Sequence, residues 1–229
     1  MSLGIEFRNV SMNYGKQVVL ENVTFRARPG EITGLLGKNG AGKTTALRIL
    51  TGLSHQKSGV ALINGQEFGV FKPGTIGVAL STDFPPSRKV VDQLKITGWA
   101  YGVKTSRISQ VIEELDMLSY LNVRTKKLSM GMKQRLNVAC AILSDPQTLI
   151  FDEPVNGLDP EGIQWIHTFM QSEASRGKTV LVSSHFLHDM DKYVDHVVIL
   201  QKKVLLDRTW SSNELDSLQS IYEKSMRNE

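Results

Sequence analysis

Short apolar runs bounded by turn residues alternate along this chain with stretches of helical spacing. Ile5 to Val10 alternates weakly between apolar and polar positions. Val18 to Ala27 carries the β-formers Val18, Val19, Val23, Thr24 and Phe25, and Pro29-Gly30 then marks a turn. Ile32 to Leu36 reads as a buried strand. Further strands are predicted at Val60 to Ile63 (closed by Asn64-Gly65), Thr148 to Phe151, Thr179 to Ser183, Val197 to Leu200 and Val204 to Leu206. Strands that alternate with helices in this way predict a mostly parallel α/β domain.

The stretch from about Val90 to Leu143 breaks the alternation. Val111, Ile112, Leu115, Leu118 and Leu121 fall on one face at helical spacing, which predicts a helix-rich insertion between strands. A helix starting near Met130 is expected to be stopped by Pro146. Another is expected from Pro160, a residue suited to a first turn, to about Arg176, with Gly177 as its stop.

Composition narrows the class. A length of 229 residues allows one large domain or two small ones. With 41% hydrophobic and 22% charged residues, the chain can bury a core without disulfides or a structural metal. Its single cysteine, Cys140, excludes a disulfide within one chain and lies in the apolar run Leu136 to Leu143, so a buried thiol is expected, in keeping with the cytosol. No window approaches the roughly 18 apolar residues of a membrane helix, and Met1 to Glu6 lacks the basic and apolar regions of a signal peptide. The chain is therefore not expected to cross a membrane itself, which leaves a membrane partner open. The net charge of +4 comes from scattered lysines and arginines. It permits an anionic ligand without implying nucleic acid.

The first chemical motif is Gly37-Lys38-Asn39-Gly40-Ala41-Gly42-Lys43-Thr44, which matches G-x-x-x-x-G-K-[ST]. It follows the strand at Ile32 to Leu36 and precedes a helical run from Thr45 to Leu53, the context that a phosphate loop requires. Glycines let main-chain N–H groups converge on phosphate oxygens, and the helix N-terminus adds partial positive charge. Lys43 can reach the β- and γ-phosphates, and the Thr44 hydroxyl can bind Mg²⁺. The second motif is the acidic pair at the end of the run Leu149-Ile150-Phe151-Asp152-Glu153. The C-terminal ends of strands are where α/β sheets bind ligands. Asp152 is suited to Mg²⁺ and Glu153 to polarising the attacking water, although such a pair can also cap the turn at Pro154.

Upstream lies Leu128-Ser129-Met130-Gly131-Met132-Lys133-Gln134-Arg135. Ser129 suits a helix N-cap, and Gly131 leaves main-chain amides bare at a helix start. Here the chain resembles the ATP-binding cassette (ABC) family, whose signature reads approximately L-S-x-G-Q/M. The resemblance covers nearly the whole chain, because the motifs stand in the family's order. It implies an ATP site built from Gly37 to Thr45 (Gly37, Lys38, Asn39, Gly40, Ala41, Gly42, Lys43, Thr44, Thr45), with Tyr14 stacked on adenine. It also implies that Ser129, Met130, Gly131 and Met132 complete the nucleotide pocket of an opposite, head-to-tail subunit. Asn156-Gly157-Leu158-Asp159-Pro160 looks like the family's D-loop, in which Asp159 meets the other subunit and can also cap the following helix. Ser183-Ser184-His185 looks like the switch histidine that contacts the γ-phosphate. His55, His167, His188 and His196 fit no such slot.

The resemblance thus implies an α/β phosphate-loop NTPase core with an N-terminal antiparallel β subdomain and a helical insertion. One cassette is expected, with a core lobe at about 1–82 and 145–210, a helical lobe at about 83–144 and a short helical tail at about 211–229. No regulatory domain is expected after about Trp210. The cofactors implied are ATP and Mg²⁺. Glu153, His185 and Lys43 are the catalytic residues implied, with Thr44 and Asp152 toward the metal. The partners implied are ATP, a second cassette and an integral membrane permease encoded separately, with no nucleic acid, at the cytoplasmic face of the cell membrane. Met132, Lys133 and the Gly157 to Pro160 loop look more like cassettes of drug, peptide or bacteriocin exporters than of amino-acid importers.

Two positions depart from the family's pattern. Ser81, after Ile76-Gly77-Val78-Ala79-Leu80, stands where a glutamine usually helps place Mg²⁺ and water. A serine is too short for that reach without a bridging water. Gln201-Lys202-Lys203 lacks the glycine often found between the last strands and reads as a solvated hairpin tip, just as Arg124, Lys126 and Lys127 read as wet basic surface. A cassette ATPase acting on a non-transport assembly, and a weakly hydrolysing nucleotide-gated module suggested by Ser81, are the alternatives.

Overall fold

The computed structural model describes residues 4–67, 74–211 and 217–227. Four strands, β1 (Ile5–Tyr14), β2 (Gln17–Ala27), β4 (Ser58–Ile63) and β5 (Gln66–Glu67), form an antiparallel sheet in the order β2-β1-β4-β5. Six others, β3 (Ile32–Leu36), β6 (Ile76–Ala79), β7 (Thr148–Asp152), β8 (Thr179–Ser184), β9 (His196–Gln201) and β10 (Lys203–Thr209), form the main sheet in the order β10-β9-β3-β8-β7-β6. All its pairings are parallel except β10 on β9. This is the α/β architecture with an N-terminal antiparallel sheet that the sequence implied.

The central strands read as apolar runs because both faces of the main sheet are covered. Successive residues therefore enter opposite cores. Leu149 and Phe151, Val180 and Val182, and Val197 and Ile199 enter one core, while Ile150, Leu181, Val198 and Leu200 enter the other. The second core lies under the antiparallel sheet and helix α1 (Lys43–Leu50). The first is covered by a group of three helices, α2 (Val90–Ala100), α3 (Thr105–Glu114) and α4 (Met130–Ile142), and by α5 (Pro160–Ser175). Each fully buried leucine or valine is worth about 1.5–3 kcal/mol. The two short C-terminal helices are α6 (Leu187–Met190) and α7 (Leu218–Arg227).

Helix ends follow local chemistry. The Asp159 side chain accepts the Gly162 N–H at 2.8 Å, and Pro160 opens α5. Arg176 and Gly177 (φ 86°) end it. Two expectations need correction. The apolar face expected from Val111 to Leu121 is not one helix. α3 stops at Glu114, and Asp116 turns into the left-handed region at φ 51°, which aspartate tolerates better than most residues. Leu118 is left 63% exposed and Tyr120 takes the buried position, where burial pushes its hydroxyl up to about 12. Pro146 is not what stops α4, which ends at Ile142, before the left-handed Asp145 (φ 50°).

The end of α5 is anchored by a buried ion cluster. Lys178 Nζ donates to Glu173 Oε2 and to Asp145 Oδ1, each at 2.6 Å, with Lys178 and Glu173 almost completely buried. Cys140 lies on α4 with Thr97 Oγ1 3.7 Å from its sulfur. Burial pushes its thiol up to about 11, which leaves it an unreactive thiol at neutral pH.

Candidate functional site

The loop between β3 and α1 is shaped by glycines that no other residue can replace. Gly42 sits at φ 105°, and a Cβ there would lie 2.6 Å from Leu20 Cδ2 and 2.9 Å from the Val19 carbonyl oxygen. A Cβ at Gly37 would lie 2.5 Å from the Leu200 carbonyl oxygen. The loop is also held from outside. Lys202, left-handed at φ 60°, donates its N–H to the Ala41 carbonyl at 3.0 Å and accepts the Glu21 N–H at 2.8 Å. The Lys202 and Lys203 side chains are exposed, as expected for a hairpin tip. The structural role of Lys202 belongs to its backbone, which composition cannot reveal.

Lys43 is 6% exposed. Its ammonium donates to the Gly37 carbonyl at 2.6 Å and to the Lys38 carbonyl at 3.4 Å, and lies 3.4 Å from Glu153 Oε1. The Thr44 hydroxyl donates to Asp152 Oδ2 at 3.2 Å, and the Ser183 hydroxyl donates to Asp152 Oδ1. Glu153 adopts φ 49°, held there by its N–H bonds to the Ser183 carbonyl (3.2 Å) and to Ser183 Oγ (3.1 Å). Backbone strain of this kind collects at functional sites. It turns the Glu153 carboxylate so that Oε2 lies 2.7 Å from His185 Nδ1. Ser183 thus organises both acids. Its place in Ser183-Ser184-His185, beside the expected switch histidine, was the available signal.

Lys43, Thr44, Glu153 and His185 border one open cleft of 340 Å³, whose polar walls also include Lys38 and Asn39. A glycine cradle, an ammonium and a helix N-terminus suit the phosphates of a nucleotide. The Thr44 hydroxyl and Asp152 carboxylate are hard oxygen donors that suit Mg²⁺.

Gly40, Gly42 and Thr45 line the same cleft, while Tyr14 and the signature residues lie elsewhere. Tyr14 stands 46% exposed at the end of β1, with its hydroxyl 3.3 Å from Ser54 Oγ, a contact that holds its pKa below the usual range. Among the described residues Val19, not Tyr14, lines the cleft on that side. Thr45 is buried against the loop, Gly40 turns it at φ 82°, and Ala41 is buried. Ser129 caps α4 by accepting the Met132 N–H at 3.2 Å, Met130 is 43% exposed and a Cβ at Gly131 would meet only Ser129 Oγ, at 4.0 Å. Within one chain these signature residues are not brought to the phosphate loop.

Instead Met130 borders a second cavity of 270 Å³ on the far side of the acids, shared with Ser81, Asp83, Gln134 and Asn137. Ser81 Oγ donates to Asp83 Oδ2 at 2.9 Å and accepts the Asp83 N–H at 3.0 Å, so it is engaged in its own turn. Gln134 is buried, and its Nε2 has no hydrogen-bond partner among the described residues. It was legible as the i+4 neighbour of Met130 on one helical face. Gly157 backs onto the same Met130, at 3.3 Å from Cγ for a Cβ placed there.

Residues 20–156 match the family model described as ABC transporter. The chain belongs to the ABC transporter family. It is a cassette ATPase of that family. The lantibiotic transport ATP-binding protein SrtF of Streptococcus pyogenes is 34% identical over 228 residues, covering 96% of this chain and 99% of that protein. The Nod factor export ATP-binding protein I of Cupriavidus metallidurans is 36% identical over 208 residues, covering 87% and 69%. A solved ATP-binding subunit of an ABC transporter superposes with a TM-score of 0.87 at 29% identity, covering 97% of this chain and 99% of that one.

Proposed function

We propose that this ABC cassette powers export of a peptide, drug or similar compound through a separately encoded membrane permease, at the cytoplasmic face of the membrane. The observation that carries the catalytic part is the convergence of Lys43, Glu153 and His185 on one cleft, within 3.4 Å of one another in sequence Lys43–Glu153–His185. Glu153 accepts a proton from water as its oxygen attacks the γ-phosphorus, and the bond to the bridging oxygen of ADP breaks. His185 orients Glu153, and Lys43 and the loop amides hold the γ-phosphate. Bound Mg²⁺ would neutralise phosphate charge, held by Thr44 and Asp152.

The cassette acts as one unit of two lobes, a core and the helical region of α2 to α4. The signature residues Ser129 to Met132, away from their own phosphate loop, fit a second cassette placed head to tail, with Asp159 at the contact. ATP then favours the closed pair by its differential affinity for that state. The helical region offers exposed Ile96 (42%), Trp99 (73%) and Leu118 (63%), an apolar surface suited to short permease helices. Among the described residues no helix is long and apolar enough to cross a membrane, so transport requires such a partner. Export is supported by the relatives named for lantibiotic transport and Nod factor export. Affinity purification of the tagged chain from detergent-solubilised membranes should recover a polytopic protein. Recovery of a soluble assembly instead would overturn the transport reading.

A further inference from the structure

Helix α7 lies beyond every nucleotide motif of the sequence. Its buried residues are Leu218 and Tyr222, one turn apart, and Ile221 and Met226 pack beside them on the larger core. Tyr222 is 7% exposed. Its ring closes one side of a 250 Å³ cleft whose other walls are Gly37, Lys38, Asn39, His185 and Leu187. Lys38, Asn39 and His185 also border the cleft that faces Lys43 and Glu153. The first turn of the phosphate loop is therefore a thin partition, with the expected phosphate position on one side and Tyr222 on the other.

That partition needs support. Glycine-rich backbone is conformationally permissive, and its amides must all point one way to bind phosphate. Gly37 is braced by the carbonyl of Leu200 and Ala41 by Lys202. Between them, the buried Tyr222 ring stands against the Gly37 to Asn39 turn, its hydroxyl without a hydrogen-bond partner among the described residues. Burial pushes the Tyr222 pKa up, and the Lys38 backbone pulls against that rise.

We propose that Tyr222 is a positioning residue for ATP: it holds the Gly37 to Asn39 turn in its phosphate-binding shape and makes the C-terminal helix part of the nucleotide site. Tyr222 itself touches no substrate. The inference rests on the phosphate loop being the ATP site.

The test compares the full chain with Tyr222→Phe, Tyr222→Leu and Lys43→Ala, reading Kd and KM for ATP, kcat, the thermal midpoint, and amide hydrogen exchange of residues 37–42. Tyr222→Phe keeps the ring and loses a hydroxyl that has no partner among the described residues, so ATP should bind within about twofold of wild type. Tyr222→Leu should bind ATP roughly tenfold or more weakly, with kcat within about twofold and faster exchange in the loop. A raised KM and faster loop exchange in Tyr222→Leu, beside a Tyr222→Phe that matches wild type, assign the effect to the ring against the turn. If Tyr222→Leu fails to fold, Tyr222→Met, which keeps more of the buried volume, is read in its place. Wild-type KM and loop exchange in the variant that lacks the ring, or a loss confined to kcat and thermal midpoint, would overturn the proposal. Wild-type ATP affinity in Lys43→Ala would instead overturn the phosphate-loop reading, and this inference with it.

Discussion

Lys43 Nζ and Glu153 Oε1 stand 3.4 Å apart, joining the phosphate loop to the end of β7. The pair sets a carboxylate beside a lysine of which only 6% is exposed. It also ties the group suited to the γ-phosphate to the group suited to the water proton. Glu153→Gln should lower kcat by roughly 10²–10⁴ while ATP still binds. Phosphate release and nucleotide binding, measured side by side, check this, and hydrolysis within tenfold of wild type would sink the assignment.

Lys43→Ala removes the ammonium that bonds the Gly37 carbonyl at 2.6 Å. ATP affinity should fall at least tenfold, about the loss of one charge-assisted bond to phosphate. Titration with a fluorescent ATP analogue reads this directly.

Gly42→Ala forces a Cβ to within 2.6 Å of Leu20 at φ 105°. A destabilisation of about 1–3 kcal/mol is expected from the left-handed backbone alone, with loss of ATP binding as the loop shifts. Urea unfolding gives the first quantity. An alanine variant as stable as the parent would show that the loop rearranges at no cost.

The ion cluster at the end of α5 makes stability depend on acid. Lys178, by its hydrogen bond, holds the Asp145 carboxyl below its ordinary 3.8, and Arg8, followed by Arg26, holds Glu6 below 4.5. Both groups bind protons less readily in the folded chain than in the unfolded one. Their stabilisation is therefore present above those ordinary values and lost as pH falls through the lower folded ones. The thermal midpoint should drop below about pH 4.5, and less steeply in a Glu6→Gln, Asp145→Asn double variant. Lys178→Met, which leaves Glu173 buried without its partner, should cost about 3–5 kcal/mol at neutral pH.

Ser81 binds its own turn through Asp83 at 2.9 and 3.0 Å. Ser81→Ala should therefore leave kcat within about twofold, as expected for a group outside the reacting set. A larger fall would show that Ser81 reaches the water after all.

Most of the core sheet was legible because its strands are buried on both faces and read as apolar runs. The acids Asp152 and Glu153 and the loop from Gly37 to Thr44 were legible because phosphate chemistry dictates both residue type and spacing. Three things were hidden. The left-handed turn at Asp116 broke a periodic face that looked continuous through Leu121. Ser183 organises the acids through contacts 30 and 31 residues apart in sequence, to which only its place beside His185 pointed. Gln134 was visible only as a helix neighbour of Met130.

The tip at Lys202 sets a limit on how this chain can be rebuilt. A hairpin turn of exposed lysines looks like a natural place to splice in a tag or a reporter domain. Its main chain, however, is wired to Ala41 and Glu21. Lengthening it would slacken the phosphate loop from 161 residues away, whereas the turn at Gly102, with nothing within 4 Å of a Cβ, has room for an insertion that keeps its left-handed glycine (φ 67°).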